Sequence, residues 1–477
     1  MRVEFLDARL KRLCEDGSAR QRQWQKSAAD KLATRLDDLA AAPSLDVLRT
    51  LPGKWEELTG DRKGQLSCRL DKKLRLVIRP TKQPPQPNPT VGSTGALSTP
   101  SPSSRWRTTM TETTLAYTPR EVTPPGATLL DLLEERDWKQ RELAHRLGRP
   151  VQAVNEIIAG KKEITEDTAL ELERVLEVPA QFWLAREAQY REYLARQRSA
   201  EASLEHVPWL EQFPLKALQD AGVLPPGRLT VAFKQELVDP LLRFFGVASP
   251  AGWQAHYDQM QLQFRRASPR RQTDVAAITA WLRMGELRAQ RIDVGDYTPA
   301  ALQAAIPAMR ALTLQPPDRV GPALVRLCAE AGVALVFVPP LPGTHVSGVA
   351  RFLHGRPLIQ LSLLGKRNDV FWFSFFHEVA HVLKHPTRAI YLDDAAAGDT
   401  VESPEEQDAN RFAADTLISR VHQARLSCLP LNAAEIEAFA AEIGVHPGIV
   451  VGQLQHRDLL PWAHPFTRLT TRYDHLG

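Results

Sequence analysis

At 477 residues and 53.3 kDa the chain exceeds what one hydrophobic core ordinarily organises, so two to four domains are expected. The formal net charge is only +4, but residues 1–82 carry 19 Lys and Arg against 12 Asp and Glu, which concentrates the basic excess at one end and suits a polyanionic partner there. No apolar run is long enough to span a bilayer, the start MRVEFLDARLKRL has no leader-like core, and Cys14, Cys68, Cys328 and Cys428 form no CxxC pair, so a soluble, cytoplasmic, disulfide-free chain without a membrane partner is expected.

Residues 1–82 open with Arg- and Lys-rich helical sequence, after which Ala29, Leu32, Leu36 and Leu39 repeat at helical spacing. Beyond Pro52-Gly53 the texture changes to WEEL, GQLSCRL and KLRLVIR, separated by turn residues as hairpin strands are. Two helices on a small antiparallel sheet is the simplest arrangement. The order Leu58, Gly60, Asp61, Arg62, Gly64, then Ser67, Arg69, Leu70, then Arg75, Leu76, Pro80 resembles the HigB branch of the RelE-like toxins, which are ribosome-dependent mRNA endonucleases. The resemblance implies a small RelE-like α+β domain with ribosome and mRNA as partners. Arg62, Lys63, Arg69 and Arg75 are the candidate toxin site, because clustered cations steady the phosphate during 2′-OH attack. The module holds no histidine, which some relatives use, so a toxin-like fold kept as a binding module is the alternative. Residues 83–118, rich in Pro, Ser, Thr and Gly without periodicity, read as a flexible linker.

In residues 119–200, Leu129, Leu130, Leu132 and Leu133 start a helix, and a second begins near Gln140 with Leu143, Ala144 and Leu147 inward. Gly148-Arg149-Pro150 forces a turn before Val151, Val154, Ile157 and Ile158 repeat at helical spacing. Gly160 ends that helix, and Thr165 caps the next, whose inner face is Ala169, Leu172, Val175 and Leu176. Helix, short turn, helix predicts an all-α helix-turn-helix domain that reads operator DNA in the major groove. Gln152, Ala153, Asn155 and Glu156 then approach base edges, while Lys139, Arg149, Lys161 and Lys162 hold phosphates. The stretch QRELAHRLGRPVQAVNEIIAGKKEITEDTALELERVL resembles HigA, a Xre-type antitoxin. HigA-type antitoxins bind their operator as dimers and neutralise HigB, which implies a homodimer and a toxin and antitoxin fused in one chain.

Residues 201–299 are apolar-periodic helices broken by Pro and Gly, a helical connector in which Trp253, Phe264 and Trp281 read as core. They look like the extension of HigA-family antitoxins that end in a peptidase-like module.

Residues 300–477 begin with the strand-length runs VALVFVPP, SGVARF and PLIQLS. The next stretch, Phe371 to His385, reads FWFSFFHEVAHVLKH and places His377, Glu378 and His381 in an H-E-x-x-H pattern on a helix that is apolar on every side and therefore buried. Two imidazoles one turn apart can grip one Zn2+, and Glu378 beside them is positioned as general base. A third ligand is required. His385 shares the face, whereas the metzincin position, 387, is Thr. An acidic residue early on the helix within VESPEEQDANRFAADTLIS completes the set if it is Glu406, with Asn410 one turn later supporting a ligand; Glu402, Glu405 and Asp408 compete.

The run from Val346 to Ser419, including HEVAHVLKH and EEQDANRFAAD, resembles the ImmA/IrrE metallopeptidases. The resemblance implies a zincin-like α+β domain with His377, His381 and Glu406 as zinc ligands and Glu378 as base. It also implies a protein substrate, a repressor or the chain itself. Ser419 stands where relatives have Pro. Ala433 to Ile443 and PGIVVGQLQH follow as two helices, with Gln453 and His456 read as surface. The expected fold is multidomain α+β, and the expected function is a toxin-antitoxin regulator that couples a DNA-binding repressor to a zinc endopeptidase. A non-proteolytic regulator, whose metal domain senses a signal or stabilises the fold, is the alternative.

Overall fold

In the computed structural model, which describes residues 1, 3–5, 7–79, 115–257, 274–364, 366–384, 391–394 and 403–474, the N-terminal sequence forms four helices, Ala8–Glu15, Gly17–Gln23, Lys26–Ala41 and Leu45–Thr50. Sequence periodicity predicts two. The extra boundaries come from capping side chains: Asp16 ends the first helix and its carboxylate accepts from Ala19 N to start the second, and Ser44 accepts from Val47 N after Pro43. The three expected strands are Glu56–Glu57, Leu66–Arg69 and Arg75–Ile78, antiparallel in that order, with Arg69 directly opposite Arg75.

The helix-turn-helix region folds as Pro125–Glu135, Gln140–Arg146, Val151–Ile158 and Glu166–Leu176, followed by the long helix Ala180–Glu205. Thr165 caps the fourth of these by accepting from Thr168 N at 3.4 Å. Residues 1–82 and 119–200, read from sequence as separate modules, lie within one compact unit, Met1–Glu201. Leu32, Leu36, Leu48 and Cys68 belong to the same buried cluster as Leu129, Leu132, Leu143, Val154 and Trp183. The physical reason is area: strands of two and four residues cannot by themselves cover the Leu32–Leu36–Leu39 stripe. The end of the stretch read as linker is also ordered, since Leu115–Ala116 pairs antiparallel with Glu4–Phe5. Residues 83–114 of that stretch, with Pro80, lie outside the described residues.

The second unit, Ala202–Gly477, is organised by a four-stranded sheet in the order Ala334–Phe337, Arg356–Leu361, Val346–Leu353, Tyr391–Asp394. The first pair is parallel and the others antiparallel. Alternation along the strands divides the side chains between two faces. Leu335, Ala350, Ile359 and Leu361 pack with Trp372, Phe375, Phe376 and Val379 of the helix Asn368–Lys384. Ala334, Val336, Val349 and Leu358 pack with Trp281 of the helix Val275–Ala289, together with Trp209, Phe213 and Trp253. The segment read as a connector therefore covers the far face of the sheet; Phe264 lies outside the described residues. Two buried polar contacts fix this layer, Gln360 Nε2 to Trp281 O at 2.7 Å and Arg351 Nη2 to Leu282 O at 2.6 Å.

The helix Asn368–Lys384 can be apolar all round because it is enclosed on its remaining sides. The helix Pro447–His456 approaches its N-terminus through Gly448 and Gly452, where any β carbon would fall 2.6 Å from Asn368 Oδ1 and 2.5 Å from Asp369 Oδ2. Arg310 staples the helices Pro404–Leu417 and Ala433–Ile443, donating to Leu417 O and Ile443 O at 2.9 and 2.8 Å. None of the described helices is long and apolar enough to cross a membrane.

Candidate functional site

Spacing of four on the helix Asn368–Lys384 puts His377 and His381, the latter in its last turn, on one face, with their Nε2 atoms 3.0 Å from each other. The third group arrives on the helix Pro404–Leu417, whose first turn is fixed by Ser403 Oγ accepting from Glu406 N at 3.2 Å. The Glu406 carboxylate oxygens stand 3.1 Å from His377 Nε2 and 3.6 Å from His381 Nε2. Among the described residues, His377, His381 and Glu406 are the group that gathers possible ligand atoms within 4.8 Å of one another. Zinc bonds of about 2.0–2.1 Å in a tetrahedron separate ligand atoms by about 3.3 Å. The three observed separations bracket that value, so the donor set fits the ion in both chemistry and spacing.

Asn410, one turn beyond Glu406, accepts from His377 Nδ1 at 2.9 Å. An amide oxygen can only accept, so this bond holds a proton on Nδ1 and keeps Nε2 as the ring atom toward the other two groups, protonated where it donates to Glu406 and able to ligate an ion once that proton is lost. Burial, the strongest influence on Glu406, raises its carboxyl pKa, but hydrogen bonds and charge from His377 and His381 outweigh it and hold the group at about 2. Glu378 is fully buried. Its carboxylate rests on the strand Val346–Leu353 at Gly348, where a β carbon would fall 2.7 Å from Oε1 and 3.0 Å from Cγ. The pairing of this strand with Tyr391–Asp394 shifts register between Val346 and Val349, so the glycine lies at a bulge.

Of the competing ligands, Asp408 is turned onto Lys384 at 3.0 Å, Glu405 is not in the converging group, and Glu402, His385 and Thr387 lie outside the described residues. Ser419 caps the helix Arg420–Leu426, with its Oγ 2.8 Å from His422 Nδ1. Gln453, read as surface, is buried because its helix packs so closely on the motif helix. His456 is exposed and stacks on Phe373, whose ring lies 6.5 Å from that of His377. Sequence reading passed over Gly348; its signal was a glycine inside an otherwise strand-like run.

On the helix Val151–Ile158, Val154 and Ile157 face the core while Gln152 and Asn155 are exposed and Ala153 and Glu156 half-buried. Gln152 Nε2 donates to Glu156 Oε1 at 3.0 Å, so these two base-reading candidates hold each other in the free protein. Arg149 is anchored to Glu171 at 2.6 Å, leaving exposed Lys139, Lys161 and Lys162 as the freer phosphate candidates. Arg62, Lys63, Arg69 and Arg75 are all exposed. The ladder brings Arg69 and Arg75 together, and Arg75 pairs with Glu56 and donates to Ser67 Oγ at 3.1 Å. Arg62 and Lys63 occupy the turn between the first two strands.

No curated protein and no solved structure matches the chain. Residues 129–183 match a helix-turn-helix family model, and this part of the chain is a DNA-binding domain of the kind carried by transcription regulators.

Proposed function

We propose that the chain is a DNA-binding regulator that carries a zinc-dependent endopeptidase. The observation behind this reading is the convergence of His377, His381 and Glu406, with Glu378, the neighbour of His377 in the chain, fully buried. Zinc held by these three side chains supplies Lewis-acid polarisation of a peptide carbonyl and makes water more acidic. Glu378 takes the proton from the attacking water as the new C–O bond forms and delivers it to the leaving amine nitrogen as the C–N bond breaks. Asn410 keeps the His377 ring in the ligating tautomer. The resemblance of residues 346–419 to ImmA/IrrE peptidases points to a repressor, or the chain itself, as substrate. The direct test is incubation of the zinc-loaded full chain with unfolded casein, with its own wild-type chain as the second substrate. Cleavage is expected in wild type and lost in Glu378→Gln; equal cleavage by both, or none by either, refutes the endopeptidase.

The likeness of residues 1–82 to HigB and of 119–200 to HigA extends the proposal to a toxin-like module and its antitoxin in one cytoplasmic, dimeric protein, with Arg62, Lys63, Arg69 and Arg75 meeting ribosome-bound mRNA. Cleavage of mRNA on ribosomes by the full chain, reduced by Arg69→Ala and Arg75→Ala, is the expected result. Intact mRNA removes this part of the reading.

A further inference from the structure

The helix Lys26–Ala41 carries two adjacent carboxylates in the seam it shares with the helix-turn-helix region, Asp37 at 2% exposure and Asp38 at 0%. Such a pair is tolerated only where donors surround it, and most of the donors come from the helix-turn-helix side. Asp37 accepts from Tyr117 OH at 3.1 Å through one oxygen, and from Thr123 N at 2.9 Å and Thr123 Oγ1 at 2.7 Å through the other. Asp38 accepts from Arg186 Nε at 3.1 Å and from Thr128 Oγ1 through one oxygen, and from Arg35 Nη1 at 3.3 Å through the other. Arg35 in turn reaches Asp131 at 2.7 Å. Arg186 is fully buried and turns its second nitrogen onto Thr123, reaching Oγ1 at 2.8 Å and the carbonyl at 3.1 Å.

Thr123 and Pro124 are more than a seam, because they seat the helix that reads DNA. A β carbon on Gly160, just past the end of that helix, would fall 2.9 Å from Pro124 Cβ. At Gly126 a β carbon would fall 2.3 Å from Ile158 Cα and 2.5 Å from Ile157 O. The first turn of Pro125–Glu135 therefore abuts the last turn of Val151–Ile158 with no side chain between them to absorb a shift.

We propose that Asp37 and Asp38, acting through Arg186 and Thr123, are positioning residues for the reading helix, so that sequence-specific DNA binding depends on the docked N-terminal module. The proposal rests on the helix-turn-helix reading and adds to it a control by residues that approach no base. Reading base edges requires placement of Gln152 and Asn155 to a fraction of an ångström, whereas holding phosphates through flexible lysines does not. Loss of the carboxylates therefore reduces discrimination more than it reduces charge-driven attachment.

The test uses the full chain and two probes, a short duplex that wild type selects from a randomised pool and a duplex of arbitrary sequence. Selection of a duplex by wild type checks DNA binding itself, and its failure overturns both readings. In Asp37→Asn/Asp38→Asn, nearly isosteric and uncharged, the ratio of specific to arbitrary affinity is expected to fall about tenfold or more, while arbitrary binding keeps its salt slope. Amide exchange at residues 157–160 should quicken. A merely structural role lowers the melting temperature but leaves the ratio intact when measured below it. Should that variant not fold, Arg186→Lys keeps the charge beside Asp38 and loses the fork onto Thr123, and the same ratio decides. An unchanged ratio in either folded variant overturns the proposal.

Discussion

Replacing Asn410 with alanine should weaken zinc binding by about 10- to 100-fold without unfolding the helix that carries Glu406. Alanine is the strongest helix former, and position 410 is only half-buried, so the local backbone has no reason to change. What disappears is the 2.9 Å bond from His377 Nδ1. Without it the proton can move to Nε2, the atom that stands 3.1 Å from Glu406 and has to face the ion. A 10- to 100-fold loss corresponds to about 1.4–2.7 kcal/mol, the range expected for a hydrogen bond to a group that carries charge in the bound state. Asn410→Asp offers a stronger acceptor in the same place and should hold zinc at least as tightly as wild type. Competition with a chromophoric chelator gives both constants. Affinity of Asn410→Ala within about threefold of wild type would refute the reasoning, since it lies well below the range such partners command.

Gly348→Ala would push the Glu378 carboxylate from a 2.7 Å approach toward ordinary contact, a displacement of the base but not of the ligands. Peptide cleavage should fall by about 100-fold with zinc content intact; retained cleavage would show that Glu378 does not need that seat. Lys161→Ala should lower the salt slope of DNA binding by about one for all sequences, whereas Asn155→Ala should cost about 1–3 kcal/mol only on the selected sequence. Equal losses on selected and arbitrary duplexes would reverse those assignments. The Glu406 carboxyl has its folded pKa lowered to about 2 from 4.5, so its contribution to metal-free stability is complete above about pH 4.5 and vanishes as pH falls toward 2. Glu406→Gln should flatten that stretch of the stability profile, and an unaltered profile would contradict the pairing with His377 and His381.

Local pattern made much of this molecule legible. The period of Leu143, Val154, Ile157 and Leu172, with Gly148 and Gly160 as stops, marks the helix-turn-helix to within a few residues of its observed helices. The spacing of His377 and His381 by itself places both rings on one helix face. Glu406 is harder, because four acidic residues crowd 402–408 and only the Ser403 cap and the crossing of two helices determine which one meets the histidines. Gly348 and Glu378 lie 30 positions apart in the chain, and no local rule joins a strand glycine to a distant carboxylate. The same holds for Asp38 and Arg186, which no local pattern joins and which meet only because a small basic module cannot enclose its own core. Domain boundaries drawn from composition separate the two, while packing unites them.

The claim that His377, His381 and Glu406 are ligands and Glu378 is a base is tested most directly by the zinc content of purified full chain, measured by elemental analysis after gel filtration. One ion per chain is expected in wild type and in Glu378→Gln, and a large loss in His381→Ala and in Glu406→Ala. Wild type without zinc, or zinc retained in His381→Ala, would contradict it.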